Sequence, residues 1–206
     1  MIDRIIGRVD GVLRSLAGIA EPKRPSPASA LPPVELDDNE RRHVAGLMRV
    51  NHAGEVCARA LYEGQALTAQ DRRVRNSLRA AAAEEADHLV WCRQRLQELG
   101  ARPSVFDPLW FAGSFALGAA VGLLGDKISL GFVEATEDRV VRHLEGHEAR
   151  LPEADERTRA VLRQMRADEG RHGARAIDAG GQLFPEPVKQ VMAAVAAVMT
   201  TLSYRW

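Results

Sequence analysis

The sequence predicts an all-α protein built around a bundle of four helices. Its 206 residues are rich in Ala, Leu, Arg and Glu, and only 5% are aromatic, which favours helix over strand. Long stretches show apolar residues at helical spacing. A short polar pattern also occurs twice on these stretches. A chain of this length can form one domain with a sizeable core.

The polar pattern is Glu-x-x-His. Residues i and i+3 of a helix lie about 60° apart around its axis, so both side chains leave from the same face. One glutamate precedes each copy: Glu55 lies 30 residues before Glu85, and Glu137 lies 32 residues before Glu169. Four carboxylates and two imidazoles on four helices are the ligand set of a carboxylate-bridged dinuclear site in a ferritin-like bundle. The predicted metal ligands are Glu55, Glu85, His88, Glu137, Glu169 and His172.

The neighbours of these acids favour a buried site. One Glu-x-x-His pattern alone is typical of a solvated helix face, but here the flanking residues at helical spacing are apolar, as with Leu78 and Leu89 around Glu85. A buried carboxylate must be protonated, paired or bound to metal. Two rivals remain: Glu84, which can reach the metal only if its helix rotates, and Glu134, three residues before Glu137.

The predicted domain organisation is an N-terminal part over 1–36, which holds an amphipathic helix and a Pro-rich linker, followed by the bundle over 37–206. Asp37 and Glu40 form a capping box at the start of the first bundle helix. Pro152 suits the first position of a helix, and Gly180 with Gly181 ends that helix. The expected helices are 2–20, 37–69, 71–99, 108–124, 127–149, 152–179 and 188–202.

Several polar residues are candidates to lie directly behind the metal ligands. Asn51, Arg59 and Tyr62 share the stripe of Glu55 and can orient a ligand or tune the metal. His143 is a further candidate, on the helix of Glu137. Ordinary surface placement is the alternative for each, and it is the expectation for His147.

Three apolar segments point to a membrane or to further packing. Residues 108–124 contain no charge over 17 residues, which is at the short limit for a membrane span. We expect a re-entrant, interfacial or protein-buried helix that forms the long apolar crossover between the halves of the bundle. Gly113, Gly118 and Gly122 suit close helix packing. Helix 188–202 is expected to pack on the bundle or to line a channel or membrane face, and helix 2–20 to dock on the bundle, on another subunit or in a membrane interface.

The charge balance argues against a nucleic-acid partner. Basic and acidic residues number 28 each, so the formal net charge is zero. No positive field is available to attract a polyanion. Contact with a membrane would accordingly be dominated by apolar surface.

The sequence resembles the demethoxyubiquinone hydroxylase family of ubiquinone biosynthesis from about residue 38 to its C-terminus. Four stretches carry the resemblance: LMRVNHAGEVC at 47–57, EEADHL at 84–89, GFVEATE at 131–137 and MRADEGRHG at 165–173. The stretch around Glu55 is specific to that family, whereas Glu-x-x-His pairs occur in all carboxylate-bridged di-iron proteins. All six ligand positions of the family are present.

The resemblance implies a di-iron monooxygenase with two iron ions per chain. It would use dioxygen to hydroxylate the free ring carbon of a polyprenyl 6-methoxy-3-methyl-1,4-benzoquinol. The protein itself is expected to be attached peripherally to the cytoplasmic face of the cell membrane. The electron donor is open between reduced nicotinamide and the quinol itself, and a homo-oligomer is compatible with the apolar faces. Rival functions are iron storage, a manganese catalase, a ribonucleotide reductase small subunit and a non-catalytic helical scaffold.

Overall fold

The structure, a computed structural model, describes residues 22–206. They form six α-helices and one short 3-10 helix, and no β-strand occurs among them. The predicted helix 2–20 lies outside the described residues. The helices are α1 (Asp38–Thr68), α2 (Arg72–Glu98), α3 (Asp107–Leu123), α4 (Asp126–Glu148), α5 (Glu156–Asp178) and α6 (Glu186–Arg205), and the 3-10 helix is Pro27–Ala30.

The predicted all-α, ferritin-like bundle is confirmed. Helix α1 packs against α2, α4 packs against α5, and the two pairs also contact each other. Two apolar clusters fill the interior, one around Met48, Trp91 and Met165 and one around Leu78 and Leu130. On each of the four helices the predicted metal ligands lie, in sequence, between the members of these two clusters. A polar layer is therefore enclosed between two apolar layers.

Helix boundaries follow local capping chemistry. The capping box is confirmed: Asp37 Oδ1 accepts from the backbone N of Glu40 at 2.8 Å, and Glu40 Oε2 accepts from the backbone N of Asp37 at 3.0 Å. Gly180 ends α5 with a φ of 97°, as predicted. The predicted start at Pro152 is wrong. Asp155 caps α5 by accepting from the backbone N of Thr158 at 3.0 Å, so the helix begins at Glu156.

Helix α3 lies against α1, and glycines bring the two backbones close together. A Cβ on Gly118 would overlap the backbone of Leu61, and one on Gly64 would overlap the backbone of Phe115. Gly113 has open space around its Cα, so its predicted packing role is wrong. The crossover role of this helix stays a prediction. Among residues 22–206, no helix combines the length and the apolar character that a bilayer crossing requires.

The Pro-rich segment 22–36 is docked on the bundle. Ala28 and Leu36 are buried in the first apolar cluster, and Arg157 Nη1 donates a hydrogen bond to the backbone O of Leu31. Trp91 Nε1 donates to the backbone O of Arg24 at 3.1 Å. The segment therefore carries side chains into the bundle, which its proline content alone did not predict.

Candidate metal centre

The six predicted ligands converge in the polar layer, and each is at most 4% exposed. Helix α1 carries Glu55, α4 carries Glu137, and each Glu-x-x-His pair lies on α2 or α5. Within each of two groups, one potential ligand atom per residue lies within 4.8 Å of every other. The groups are Glu55, Glu85, His88 and Glu169, and Glu85, Glu137, Glu169 and His172.

Two carboxylates belong to both groups. Glu85 and Glu169 are the glutamates of the two Glu-x-x-His pairs, and they face each other from α2 and α5. Glu55 belongs only to the group of His88, and Glu137 only to the group of His172. Two neighbouring cation positions that share two carboxylates form a dinuclear arrangement.

Both histidines turn the same ring nitrogen toward the acids. His88 Nδ1 lies 2.9 Å from Glu85 Oε2 and 3.2 Å from Glu55 Oε2, and His172 Nδ1 lies 3.0 Å from Glu169 Oε2. Their Nε2 atoms point away from the centre. Nδ1 is therefore the atom that each histidine offers to a metal ion.

The outward nitrogens are held by carboxylates from the opposite motif. His88 Nε2 lies 2.9 Å from Oδ2 of Asp168, which directly precedes Glu169. His172 Nε2 lies 3.2 Å from Oε2 of Glu84, which directly precedes Glu85. A carboxylate on the far nitrogen fixes the tautomer and orientation of a ligating histidine. Glu84 thus has a place behind His172 and lies outside both groups.

Sequence reasoning missed Asp168 entirely. The signal was available, because an acid stands one position before each Glu-x-x-His. That pattern does not reveal which histidine the acid contacts, since the partner lies on another helix.

Burial and the neighbouring charges determine the pKa values of the acids. Burial, with the charges of Glu85 and Glu169, raises the pKa of Glu55 well above its ordinary range. Burial and the same two charges also raise the pKa of Glu137. Burial opposes ionisation of Glu85 as well, but the two adjacent histidines outweigh it and hold the pKa of Glu85 below its usual value.

The neighbouring carboxylates raise the pKa values of both histidines. Burial alone would lower the pKa of His172, but its hydrogen bonds with Glu169 and Glu85 raise that pKa to about 11. The pKa of His88 is raised for the same reason, by the charges of Glu85 and Glu169 against burial. Without metal, imidazolium protons supply the positive charge that the acids require.

The residues suit a pair of cations. Among the described residues, Glu137 Oε2 is a buried oxygen without a hydrogen-bond donor. Glu85 Oε1 lies 3.2 Å from His172 Nδ1 and Glu169 Oε1 lies 2.9 Å from His88 Nδ1, and neither oxygen has a further donor within residues 22–206. A buried carboxylate oxygen without a donor or cation is costly. These oxygens, with the inward Nδ1 atoms, form a mixed carboxylate and imidazole set that suits divalent transition metals.

Tyr62 contacts one of the predicted ligands. Its hydroxyl donates a short hydrogen bond to Glu137 Oε1, and its ring lies edge-on to the ring of His172 with the centroids 6.0 Å apart. Burial and the nearby Glu137 raise the pKa of Tyr62, so the phenol stays protonated and remains a donor.

The other candidates make different contacts. Asn51 Oδ1 lies 2.8 Å from His147 Nδ1. The ring of His143 is tilted by 56° against that of His147, with the ring centroids 3.9 Å apart. The surface placement expected for His147 is wrong, because this contact between α1 and α4 buries it to 2% exposure. Arg59 Nε lies 3.1 Å from Glu63 on the same helix. The roles of Asn51, Arg59 and His143 at the metal stay predictions.

Glu134 does not join either group of potential ligands. It pairs with Lys189 of α6, with Nζ and Oε2 3.2 Å apart. Glu137, one helical turn further along α4, points into the polar layer instead.

A cleft of about 50 Å³ reaches the site beside His172. Tyr62, Ser77, His172 and Arg175 contribute its polar groups. Its apolar wall consists of Leu78, Ala80, Ala81, Leu130, Val133 and Ala176. A cavity of about 150 Å³ can hold a benzene ring, so this cleft admits a six-membered ring only if side chains move.

The known proteins that are similar to this chain are proteins of ubiquinone metabolism by their names. A family model described as ubiquinone biosynthesis protein COQ7 matches residues 42–203. A protein of Ralstonia pickettii (strain 12J) named 3-demethoxyubiquinol 3-hydroxylase is 54% identical, with both chains covered completely. Relatives of the same name from Cupriavidus necator and Azotobacter vinelandii are 55% and 53% identical over 99% and 98% of this chain, and over 100% and 95% of their own.

Proposed function

The chain belongs to the COQ7 family of ubiquinone biosynthesis proteins, and we propose that it is a di-iron 3-demethoxyubiquinol 3-hydroxylase. It places one oxygen atom of dioxygen on the free ring carbon of a polyprenyl 6-methoxy-3-methyl-1,4-benzoquinol. The other atom leaves as water after taking up two electrons and two protons, and the electrons come from reduced nicotinamide or from the quinol itself. The observation that carries the proposal is the pair of ligand groups sharing Glu85 and Glu169.

Different side chains bind the metal ions, orient the ligands and exclude water. Two irons held in these groups supply the activation of dioxygen. Asp168 and Glu84 orient the two histidines through their Nε2 atoms. Tyr62 orients Glu137 by its hydrogen bond, and the apolar layers on either side exclude water from the acids.

We also propose peripheral attachment to the cytoplasmic face of the cell membrane. The exposed apolar residues of α3, α6 and their flanks support this, and they include Val105, Leu109, Leu117, Leu123, Leu124, Val191, Val195, Val198 and Trp206. Trp110 Nε1 donates to Ser203 Oγ at 3.1 Å, which holds the end of α6 against the start of α3. A polyprenyl tail drawn into water would cost about 0.8 kcal/mol per methylene, and a docked apolar face avoids that cost.

The test is a reconstituted reaction. Purified protein with two ferrous ions per chain, dioxygen and a reductant is given short-tailed demethoxyubiquinol, and the products are separated by mass. We expect the hydroxylated quinol with one atom of labelled oxygen. Iron uptake far beyond two ions per chain without hydroxylation would favour storage, and accumulation of another quinone in a strain lacking the gene would contradict the proposed substrate.

A further inference from the structure

Residues 22–206 cover the two halves of the site unequally. Behind His88, Asp168 has a fully buried side chain. Behind His172, the side chain of Glu84 is 31% exposed, and its cationic neighbour Arg175 is 57% exposed at a distance of 3.5 Å. The cleft described above opens on this second half.

The cover over the His88 half comes from Arg24, which precedes the bundle. Its Nε lies 2.9 Å from Asp87 on α2, and its Nη1 lies 2.8 Å from Asp168 on α5. The guanidinium stacks over Trp91, 4.8 Å from the ring centroid. One side chain thereby ties together the two helices that carry the Glu-x-x-His pairs. We call Arg24, Asp87, Trp91 and Asp168 the Arg24 clasp.

The backbone around Arg24 is also fixed. The backbone N of Lys23 donates to Asp87 Oδ1 at 2.7 Å, and the backbone O of Arg24 accepts from Trp91. A planar guanidinium can satisfy two carboxylates and stack on an aromatic ring at once, which a lysine ammonium cannot do. The clasp therefore depends on the shape of arginine as well as on its charge.

The clasp acts on a metal ligand through one atom. Asp168 Oδ2 accepts from both Arg24 Nη1 and His88 Nε2. Its other oxygen accepts from Gln164 Nε2 at 2.8 Å and from Arg171, so all four acceptor positions of this carboxylate are used. Loss of Arg24 would leave His88 as the one partner of Asp168 Oδ2 among the described residues and would open the His88 half to water.

We propose that Arg24 is a positioning residue that seals the His88 half of the site, so that metal ions exchange through the His172 half. The inference rests on the proposed di-iron function and adds an order of release to it. The shared carboxylates remain common to both halves, whereas Glu55 and Glu137 distinguish them.

The test follows metal release from the intact protein. The chain is loaded with two Co²⁺ per molecule, freed of excess metal and mixed with a large excess of EDTA. We expect two phases of equal amplitude. Glu137→Gln, which affects only the His172 group, should lack the fast phase, and Glu55→Gln should lack the slow one.

Arg24→Gln should accelerate the slow phase by about tenfold, the lower end of the effect of losing a partner behind a metal ligand, and leave the fast phase unchanged. Arg24→Lys should give an intermediate rate, since charge is kept without the fork. Arg163→Gln is the matched control, because Arg163 is 57% exposed and pairs with Glu148 away from the acids; its rates should equal those of wild type. In the Glu137→Gln background, Arg24→Gln should also shift the visible absorption of the single Co²⁺.

Three results would overturn the inference: a single release phase in wild type, equal acceleration of both phases by Arg24→Gln, or wild-type release in that variant. Helicity and melting temperature are measured alongside, and Arg24→Lys carries the test if Arg24→Gln does not fold. A wild-type chain that binds no Co²⁺ and no ferrous iron would instead overturn the proposed function.

Discussion

At the scale of single residues, the centre depends on which carboxylates two metal positions share. Glu85 and Glu169 belong to both groups of potential ligands, and Glu55 and Glu137 belong to one each. This difference predicts unequal consequences for substitutions that are chemically identical.

Replacing Glu85 or Glu169 by Gln should cost both metal ions, because each carboxylate serves both positions. Replacing Glu55 or Glu137 by Gln should leave about one ion per chain. Metal content by mass spectrometry after anaerobic loading measures this, with Glu153→Gln as the surface control. If Glu134→Gln loses metal while Glu137→Gln keeps both ions, the assignment of the ligand on α4 is wrong.

The hydroxyl of Tyr62 donates a hydrogen bond to Glu137. Tyr62→Phe leaves a buried carboxyl oxygen without this donor, which should lower the free energy of unfolding by about 1–3 kcal/mol. Urea denaturation of the metal-free protein measures the loss. Tyr204→Phe is the matched control, because its hydroxyl meets the half-buried His43 at 2.8 Å, and its effect should be smaller. Equal free energies of unfolding for Tyr62→Phe and wild type would show that this hydrogen bond does not stabilise the fold.

At the scale of elements, α3 is attached to α1 by backbone contact. Gly118 and Gly64 permit this approach, since a Cβ on either would overlap the backbone of the other helix. Gly113 lies on the same helix with nothing within 4 Å of a Cβ. Gly118 and Gly113 therefore make opposite predictions.

Gly118→Ala should destabilise the fold by about 1–3 kcal/mol, because overpacking moves backbone that cannot yield easily. Gly113→Ala should stabilise it by up to about 1 kcal/mol through helix propensity alone. Thermal melting of both variants under identical conditions tests the pair. A Gly118→Ala variant as stable as wild type would mean that α3 is free to shift away from α1.

At the scale of the whole molecule, metal and protons compete for the same polar layer. The raised pKa values of His88 and His172 stabilise the metal-free fold fully below pH 6.5, and this stability is lost as pH rises through the folded pKa, about 11 for His172. The raised pKa values of Glu55 and Glu137 act in the same direction from pH 4.5 upward. Bound metal replaces these protons and removes the dependence.

The melting temperature of the metal-free protein should therefore fall between pH 6.5 and 8.5, and the increment given by Co²⁺ should grow over the same range. Scanning calorimetry with and without Co²⁺ measures both quantities. His43→Gln is a suitable control, since its ring lies away from the acids and its variant should keep the widening increment. An increment that is constant or shrinks with pH would contradict a site that metal ions and protons share.

The apolar faces of α3 and α6 are also a property of the whole molecule. Leu117→Glu with Leu124→Glu places charge on side chains that are 45% and 65% exposed, so the fold should persist while membrane binding falls. Turnover of a long-tailed quinol should drop more than turnover of a short-tailed one. Vesicle sedimentation and both assays test this, and raised salt should release little wild-type protein because the net charge is zero.

A folded double variant that still sediments with vesicles and turns over both quinols like wild type would contradict membrane docking through this segment. Asp38→Asn with Arg41→Gln is the matched control, because it alters an exposed ion pair at the start of α1 and leaves the apolar faces intact. That control should behave like wild type in all three measurements.

The sequence by itself determined the helices and the set of acids and histidines. Helical periodicity and capping are local, so α1, α2 and α4 begin and end within a few residues of prediction. The Glu-x-x-His spacing likewise places a carboxylate and an imidazole on one face whatever surrounds them. Where local signals competed, prediction failed: Pro152 suits a helix start, but Asp155 makes the capping hydrogen bond.

Only the tertiary structure decided which groups meet. The sharing of Glu85 and Glu169, the contact of Asp168 with His88 and the burial of His147 all require packing between helices distant in sequence. Arg24 and Asp168 are separated by 144 positions, yet their side chains lie 2.8 Å apart. Periodicity specifies the face of a helix but not its axial register against another, and a shift of one turn, about 5.4 Å, would break every one of these contacts.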